Sequence, residues 1–390
     1  MNEFLQKLRQ HHIFVVYILG FLFTLHSVLP TYINSTFLSK YTTEELVGFI
    51  YTISSIITII AFFSINKILR KYGNYKTTLI LLFLELISLI GLAIFSNIFA
   101  LTALFVIGFM AVALTGFTID IVLESYSKNE KTGEIRGWYL ATSNLAWVFG
   151  PAISSFIMTN GDYWKIFTAG AILLIPVIYL FINNMKDFKD PEYPTVPLFQ
   201  SVKKIWADNN IFSILATSFL LQFFYAWMVI YTPIYLHEHI GFNWQQIGII
   251  FSIMLFPFVL TEIPLGKLAD AKFGEKEMLS IGFIIMALST GLISFVFGAN
   301  MILWAVILFI TRVGASMVEV MSETYFFKKV SESDIGIISV FRTMRPLAYV
   351  ISPVAASMIL PFIDFRFIFI ILGLLMFIGL KYSMSIEDTL

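Results

Sequence analysis

Ionisable and amide-bearing side chains embedded in long apolar runs are where this sequence could do chemistry. Arg312, Ser316, Glu319 and Glu323 recur at i, i+4, i+7 and i+11, one stripe if the segment is helical. Asp120 and Glu124 lie four apart, Arg342 and Arg345 three apart, and Arg136 opens another apolar run. A charge at mid-bilayer costs roughly 2.5–3.5 kcal/mol on insertion scales, so such groups pair with one another or face a cavity. His26, deep in the first run, could take up and release a proton near neutral pH, or it could be a neutral, hydrogen-bonded core group. The planar fork of Arg345 suits an anionic or hydroxyl-rich solute, and a salt bridge to Glu319 or Glu323 is the competing reading. Arg312 sits near the middle of its run. Ser218, Gln222 and Tyr225 share one helical stripe, and Asn144, Trp147, Pro151 and Ser154 share another. Aromatic and amide groups together suit sugars or amphiphilic organic solutes, although most of the 41 Phe are expected to pack or face lipid.

The elements that carry these residues follow from composition. Of 390 residues, 58% are apolar and only 13% charged, too few polar groups to cover a soluble domain of this size. Twenty-five basic and 25 acidic residues cancel, so no net field favours nucleic acid, and no nucleic-acid partner is expected. The absence of cysteine removes disulfides, thiolate nucleophiles and Cys-based metal sites. No phosphate-binding G-x-x-x-x-G-K-[ST] loop, H-E-x-x-H or Ser/His/Asp constellation appears, so neither an enzyme nor a bound cofactor or metal is expected. A membrane-crossing helix takes about 20 apolar residues. Twelve runs qualify, near 13–35, 45–65, 77–95, 98–123, 136–159, 163–182, 211–236, 245–265, 279–297, 300–324, 335–360 and 365–383. The first is too long for a signal h-region and no A-x-A-like cleavage site follows it, so it is expected to remain as the first helix. Lys40, Lys165 and Arg366 fall in one set of loops and Arg312, Arg342 and Arg345 inside spans; all other Lys and Arg lie in the opposite loops and termini. That asymmetry predicts cytoplasmic ends.

The chain also repeats. VGFIYTI at 47–53 matches IGIIFSI at 247–253, and DYWKIF at 162–167 matches DFRFIF at 364–369. Pro151 falls on Pro353, and Asp120, Glu124 and Tyr126 fall on Glu319, Glu323 and Tyr325, all at nearly one offset. A loop with Pro191, Pro194 and Pro197 separates the copies, followed by PLFQSVKKIW, whose Leu198, Val202, Ile205 and Trp206 suggest a short helix on the inner membrane face. The expected fold is an all-α membrane protein of twelve transmembrane helices in two pseudo-symmetric six-helix bundles. Residues 1–185 form the first, 186–210 a cytoplasmic linker and 211–390 the second.

GKLADAKFGEKEML at 266–279 resembles the cytoplasmic signature of the major facilitator superfamily (MFS), with Gly266, Leu268, Ala269, Asp270 and Gly274 in its main roles. One extra residue precedes Gly274, and Ala271 stands where the signature has Arg. The first-half copy, NKILRKYGNYK at 66–76, keeps Lys67 and Gly73 but has Asn66 for Gly and Arg70 for Asp. AWVFGPAISS at 146–155 is similar to the family's antiporter-associated motif, retaining Gly150 and Pro151. The resemblance implies a secondary carrier of a small organic solute working by alternating access in the cell (plasma or bacterial inner) membrane. Export of amphiphilic compounds and uptake of a sugar-like or other polar solute, with or without protons, both stay open. A non-transporting membrane sensor is the reading from another class. Solute contacts would come from His26, Asn144, Trp147, Gln222, Tyr225, Arg312 and Arg345. Glu124, Arg136, Glu323 and Arg342 resemble the inner ionic gate of the family's sugar carriers, and Gly266 with Asp270 would form a cytoplasmic latch. The small-molecule substrate and the lipid bilayer are the expected partners, and a monomer is the expected state.

Overall fold

A computed structural model describes residues 2–127, 132–158, 161–193, 198–268, 274–330 and 335–387, with backbone alone at 2–11, 127, 132–137, 140–141, 198–200, 261–268 and 335. Hydrocarbon supplies no hydrogen-bond partner, so apolar segments satisfy their backbone internally as helices. The described residues contain no strand. The helices are α1 (Asn2–Thr31), α2 (Asn34–Ser39), α3 (Glu44–Ile94), α4 (Ile98–Ser127), α5 (Thr132–Ile157) and α6 (Tyr163–Met185). After the amphipathic α7 (Leu198–Ala207) come α8 (Asn209–Ile234), α9 (Trp244–Leu268), α10 (Gly274–Ile293), α11 (Met301–Lys329), α12 (Ile335–Ile359) and α13 (Ile368–Ser385). α3 is two arms: Gly73, at φ 78° and ψ 162°, breaks it in a left-handed conformation that glycine tolerates. With α3 counted as two spans and α2 and α7 as short connecting helices, the twelve transmembrane helices expected from the apolar runs are all present.

The same break recurs at Gly274, φ 70°, where α10 begins. The two copies anchor the following helix differently. The buried Asn74 amide donates to the Thr118 carbonyl of α4 at 3.0 Å, whereas Glu275, 1% exposed, pairs with Lys328 of α11 at 2.5 Å. The first copy also draws on the segment after α6. Asp190 accepts the Asn74 backbone N–H at 2.7 Å, so a carboxylate meets the positive start of the second arm. The Tyr193 hydroxyl donates to the same carboxylate at 2.5 Å, and burial together with that carboxylate pushes its pKa up. Arg70 occupies the signature's acidic position, and Asp190 brings a negative charge to this turn from the segment after α6.

The chain divides into two compact units, residues 1–42 with 53–194 and residues 43–52 with 195–390. In the first, α1 packs against α4, α5 and α6. Gly150 lets α5 close on α1, since a Cβ there would stand 2.3 Å from Val28 Cγ1. Ser154 Oγ donates to the Leu29 carbonyl at 2.8 Å, so the residues of the antiporter-like motif serve the α1–α5 seam. In the second unit α8 packs on α11, α12 and α13. Trp227 and Tyr231 of α8 are fully buried there, and Tyr231 donates to the Pro353 carbonyl at 3.2 Å. Trp244, at the start of α9, is also buried, its ring 4.6 Å from that of His237. α12 contains Pro346 and Pro353, each without the N–H that would close a helical turn. In α7, Ser201 and Ile205 are buried while Val202 and Trp206 are exposed.

Close backbone approach holds α10, α11 and α13 together. A Cβ on Gly314 would meet the Gly282 carbonyl oxygen at 2.7 Å and the Met286 nitrogen at 2.8 Å, atoms that cannot swing aside. A Cβ on Gly291 would meet nothing within 4 Å. Gly314→Ala should therefore lower the melting temperature of the detergent-solubilised protein, at a cost of about 1–3 kcal/mol. Gly291→Ala should leave it unchanged or slightly raised. Equal melting of the two variants would contradict this packing.

Candidate functional site

In the first unit, His26 of α1 is 1% exposed, and its Nε2 lies 2.9 Å from Oε2 of Glu85, on the second arm of α3. Glu85 is equally buried, and its other oxygen accepts from the Thr115 hydroxyl of α4 at 2.5 Å. Three helices thus meet at one carboxylate. His26 Nδ1 is buried without a partner. A bare lone pair is tolerated there more readily than an orphan N–H, so the arrangement favours an imidazole carrying its proton on Nε2 and donating it to Glu85. Sequence reasoning did not pair Glu85 with His26. The available signal was depth: Glu85 stands 11 residues after Asn74, and Thr115 stands 12 before Ser127 at the same side.

Asn144 and Trp147 are half-buried on α5, and the Trp147 ring meets Tyr32 edge-on at 6.5 Å. Glu124 is exposed near the end of α4. The Arg136 side chain lies outside the described residues, as does Asp270, while Gly266 is described only as a backbone position of α9.

In the second unit the focus is Arg312, on α11. It is 1% exposed, and its Nε and Nη1 atoms are buried with no hydrogen-bond partner. Its guanidinium lies 5.0 Å from the Phe224 ring centroid and 5.5 Å from that of Tyr225, both on α8. An arginine cannot shed its proton at any physiological pH. Cation–π contacts return about 0.5–2 kcal/mol each, against several kcal/mol for taking an ion out of water, so the two rings leave a deficit. Glu319, two helical turns along α11, accepts from the Tyr225 hydroxyl at 2.9 Å. Its separation from Arg312 along the axis is about 10 Å, too far for a direct pair. Gln222, one turn before Tyr225, is half-buried.

α12 adds further cations. Arg345 hydrogen-bonds the Tyr349 hydroxyl, and the charge of Arg312 reaches the same group. Arg342, Arg345 and, on α11, Glu323 are exposed. The structure therefore gathers Tyr225, Arg312, Arg345 and the unforeseen Tyr349 in one region of the second unit. His26 belongs to the first unit, with a different set of neighbours.

The chain matches the family model of the Major Facilitator Superfamily over residues 13–255 and 238–384. No curated protein matches it in sequence. Among solved structures it is similar to a D-xylose–proton symporter, at TM-score 0.75 and 16% identity, covering 97% of this chain and 98% of that one. The nucleoside transporter NupG is similar at TM-score 0.75 and 13% identity, covering 96% and 99%. A bacterial homologue of the human lysosomal transporter Spinster, in an inward-facing unoccupied conformation, is similar at TM-score 0.72 and 10% identity, covering 97% and 93%.

The His26–Glu85 contact predicts strong coupling. His26→Gln and Glu85→Gln should each destabilise the protein, and the double variant should lose less than the sum of the two. Denaturant melts in detergent should give an interaction of about 1–3 kcal/mol. Simple additivity would show that the two side chains do not act as a pair.

Proposed function

The chain belongs to the Major Facilitator Superfamily, and we propose that it is a secondary active carrier of a small organic solute, worked by alternating access of two six-helix halves. In this reading residues 1–185 and 211–390 are the halves and 186–210 the cytoplasmic linker, with both termini cytoplasmic, in a monomer of the plasma membrane. The observation that carries it is Arg345. It lies about 15 Å from one end of α12 and about 21 Å from the other, yet is exposed. An arginine at that depth does not face lipid tails; it faces water admitted to mid-membrane, as a carrier requires.

Within that scheme His26, Asn144, Trp147, Gln222, Tyr225, Arg312 and Arg345 are proposed to contact solute or its co-transported ion. Glu124, Glu323, Arg136 and Arg342 are assigned to an inner gate, and Gly266 with Asp270 to a latch that stabilises the outward-facing state. Export of amphiphilic compounds is the favoured direction, supported by the aromatic content and the Gly150–Pro151 motif. A second reading, proton-coupled uptake of a polar solute, is favoured by the buried His26–Glu85–Thr115 cluster, in which a proton can sit between ring and carboxylate.

Two measurements on purified protein in liposomes test this. A solute found by thermal-shift screening should enter faster when the vesicles hold unlabelled solute inside, the mark of a carrier that must reorient; flux indifferent to internal solute would contradict it. An imposed pH gradient should drive accumulation in wild type and fail to do so in His26→Gln if uptake is proton-coupled. Unchanged pH-driven flux in that variant removes His26 from the coupling path.

A further inference from the structure

We propose that the solute is an organic anion, and that Arg312 binds its carboxylate, phosphate or sulfonate group inside the second unit. This rests on the carrier reading above and names the substrate class. Two independent observations lead to it. The first is the guanidinium itself: Nε and Nη1 of Arg312 are buried and unpartnered, beside the rings of Phe224 and Tyr225. Ring contacts use none of the N–H donors along the guanidinium edge, which are left for something else. The second is convergence of like charge. Arg345 comes from α12 to the Tyr349 hydroxyl, a group that the Arg312 charge also reaches. The two guanidiniums repel each other, and a bound anion would offset that repulsion.

The acid nearest along α11 is already engaged. Glu319 holds the Tyr225 hydroxyl, and this fixes the ring that lies beside Arg312. Tyr225 thus positions the guanidinium, and the bound group would meet a fork of N–H donors matched to two oxygens. An apolar body on the same solute would have Phe224 and Tyr225 to pack against.

The test uses full-length protein in detergent, three anionic probes (benzoate, succinate and glycerol 3-phosphate) and their neutral counterparts (benzamide, succinamide and glycerol). At least one anion should raise the wild-type melting temperature while its neutral counterpart does not. Arg312→Gln should weaken that binding roughly tenfold or more, and Arg312→Lys, which keeps the charge without the fork, by a smaller factor. Without probe, Arg312→Gln should melt at or above wild type, because an uncompensated cation has been removed. If it melts far below wild type while Arg312→Lys melts normally, Arg312 is a structural charge and the assignment falls. It falls equally if no anion acts, or if chloride alone gives the same Arg312-dependent shift. Should neutral probes be carried with acceleration by internal solute, and equally by Arg312→Gln, the carrier reading stands and the anion assignment does not. Arg312-dependent anion binding with no flux of any probe would leave the anion site and remove the carrier.

Discussion

Every polar atom in the transmembrane part of this protein has to find a partner within the protein or reach water, because lipid tails offer neither hydrogen bonds nor a high dielectric. The backbone meets that requirement by coiling. Side chains meet it individually, and their solutions explain most of the packing. Ser154 and Ser88 give their hydroxyl protons to carbonyls on neighbouring helices, at 2.8 and 2.7 Å. Asn74 reaches across to α4, and Glu85 draws in one group from α1 and one from α4. Such bonds are individually modest, about 0.5–1.5 kcal/mol net, but each also fixes the depth and rotation at which two helices meet. Glycine does the complementary work: where Gly314 faces Gly282, backbones come close enough for dispersion contacts to accumulate along the seam.

Against that background the two units differ in how they handle charge. The first surrounds Glu85 with partners, the His26 ring at 2.9 Å and the Thr115 hydroxyl, in a site closed to solvent. The second keeps Arg312 buried beside aromatic faces and Arg345 exposed at mid-helix. The two halves share a common skeleton, down to the positive-φ glycines at 73 and 274 and the prolines at 151 and 353. It does not dictate the chemistry hung on it. The halves differ even in the helix-start anchors, amide to carbonyl in one and carboxylate to ammonium in the other.

The helices, their order and the repeat were legible in the sequence because hydropathy is a local property and twelve apolar runs of membrane length have few other uses. What could not be read was which side chain faces which. His26 and Glu85 are 59 positions apart, and their meeting depends on the rotations of α1 and α3. The Gly150–Pro151–Ser154 segment looked like a functional motif, and its contacts turn out to close α5 on α1, a role that only the identity of the facing residues Val28 and Leu29 reveals. Asp190 was legible merely as one charge in a polar stretch. Its bond to Asn74, 116 positions away, replaces an acid that the first-half signature lacks.

The two prolines of α12 bear on how its charges move. Without an N–H at 346 and 353, the carbonyls of Arg342 and Tyr349 lose their usual partners one turn earlier, and the rod is weakened at two joints. Arg342 and Arg345 ride together on the segment before the first joint, while Tyr349 lies between the joints. A few degrees of flexure there would swing both guanidiniums as a pair relative to Tyr349 and to α11. The prolines thus put the two arginines of α12 on one lever and the phenol on another.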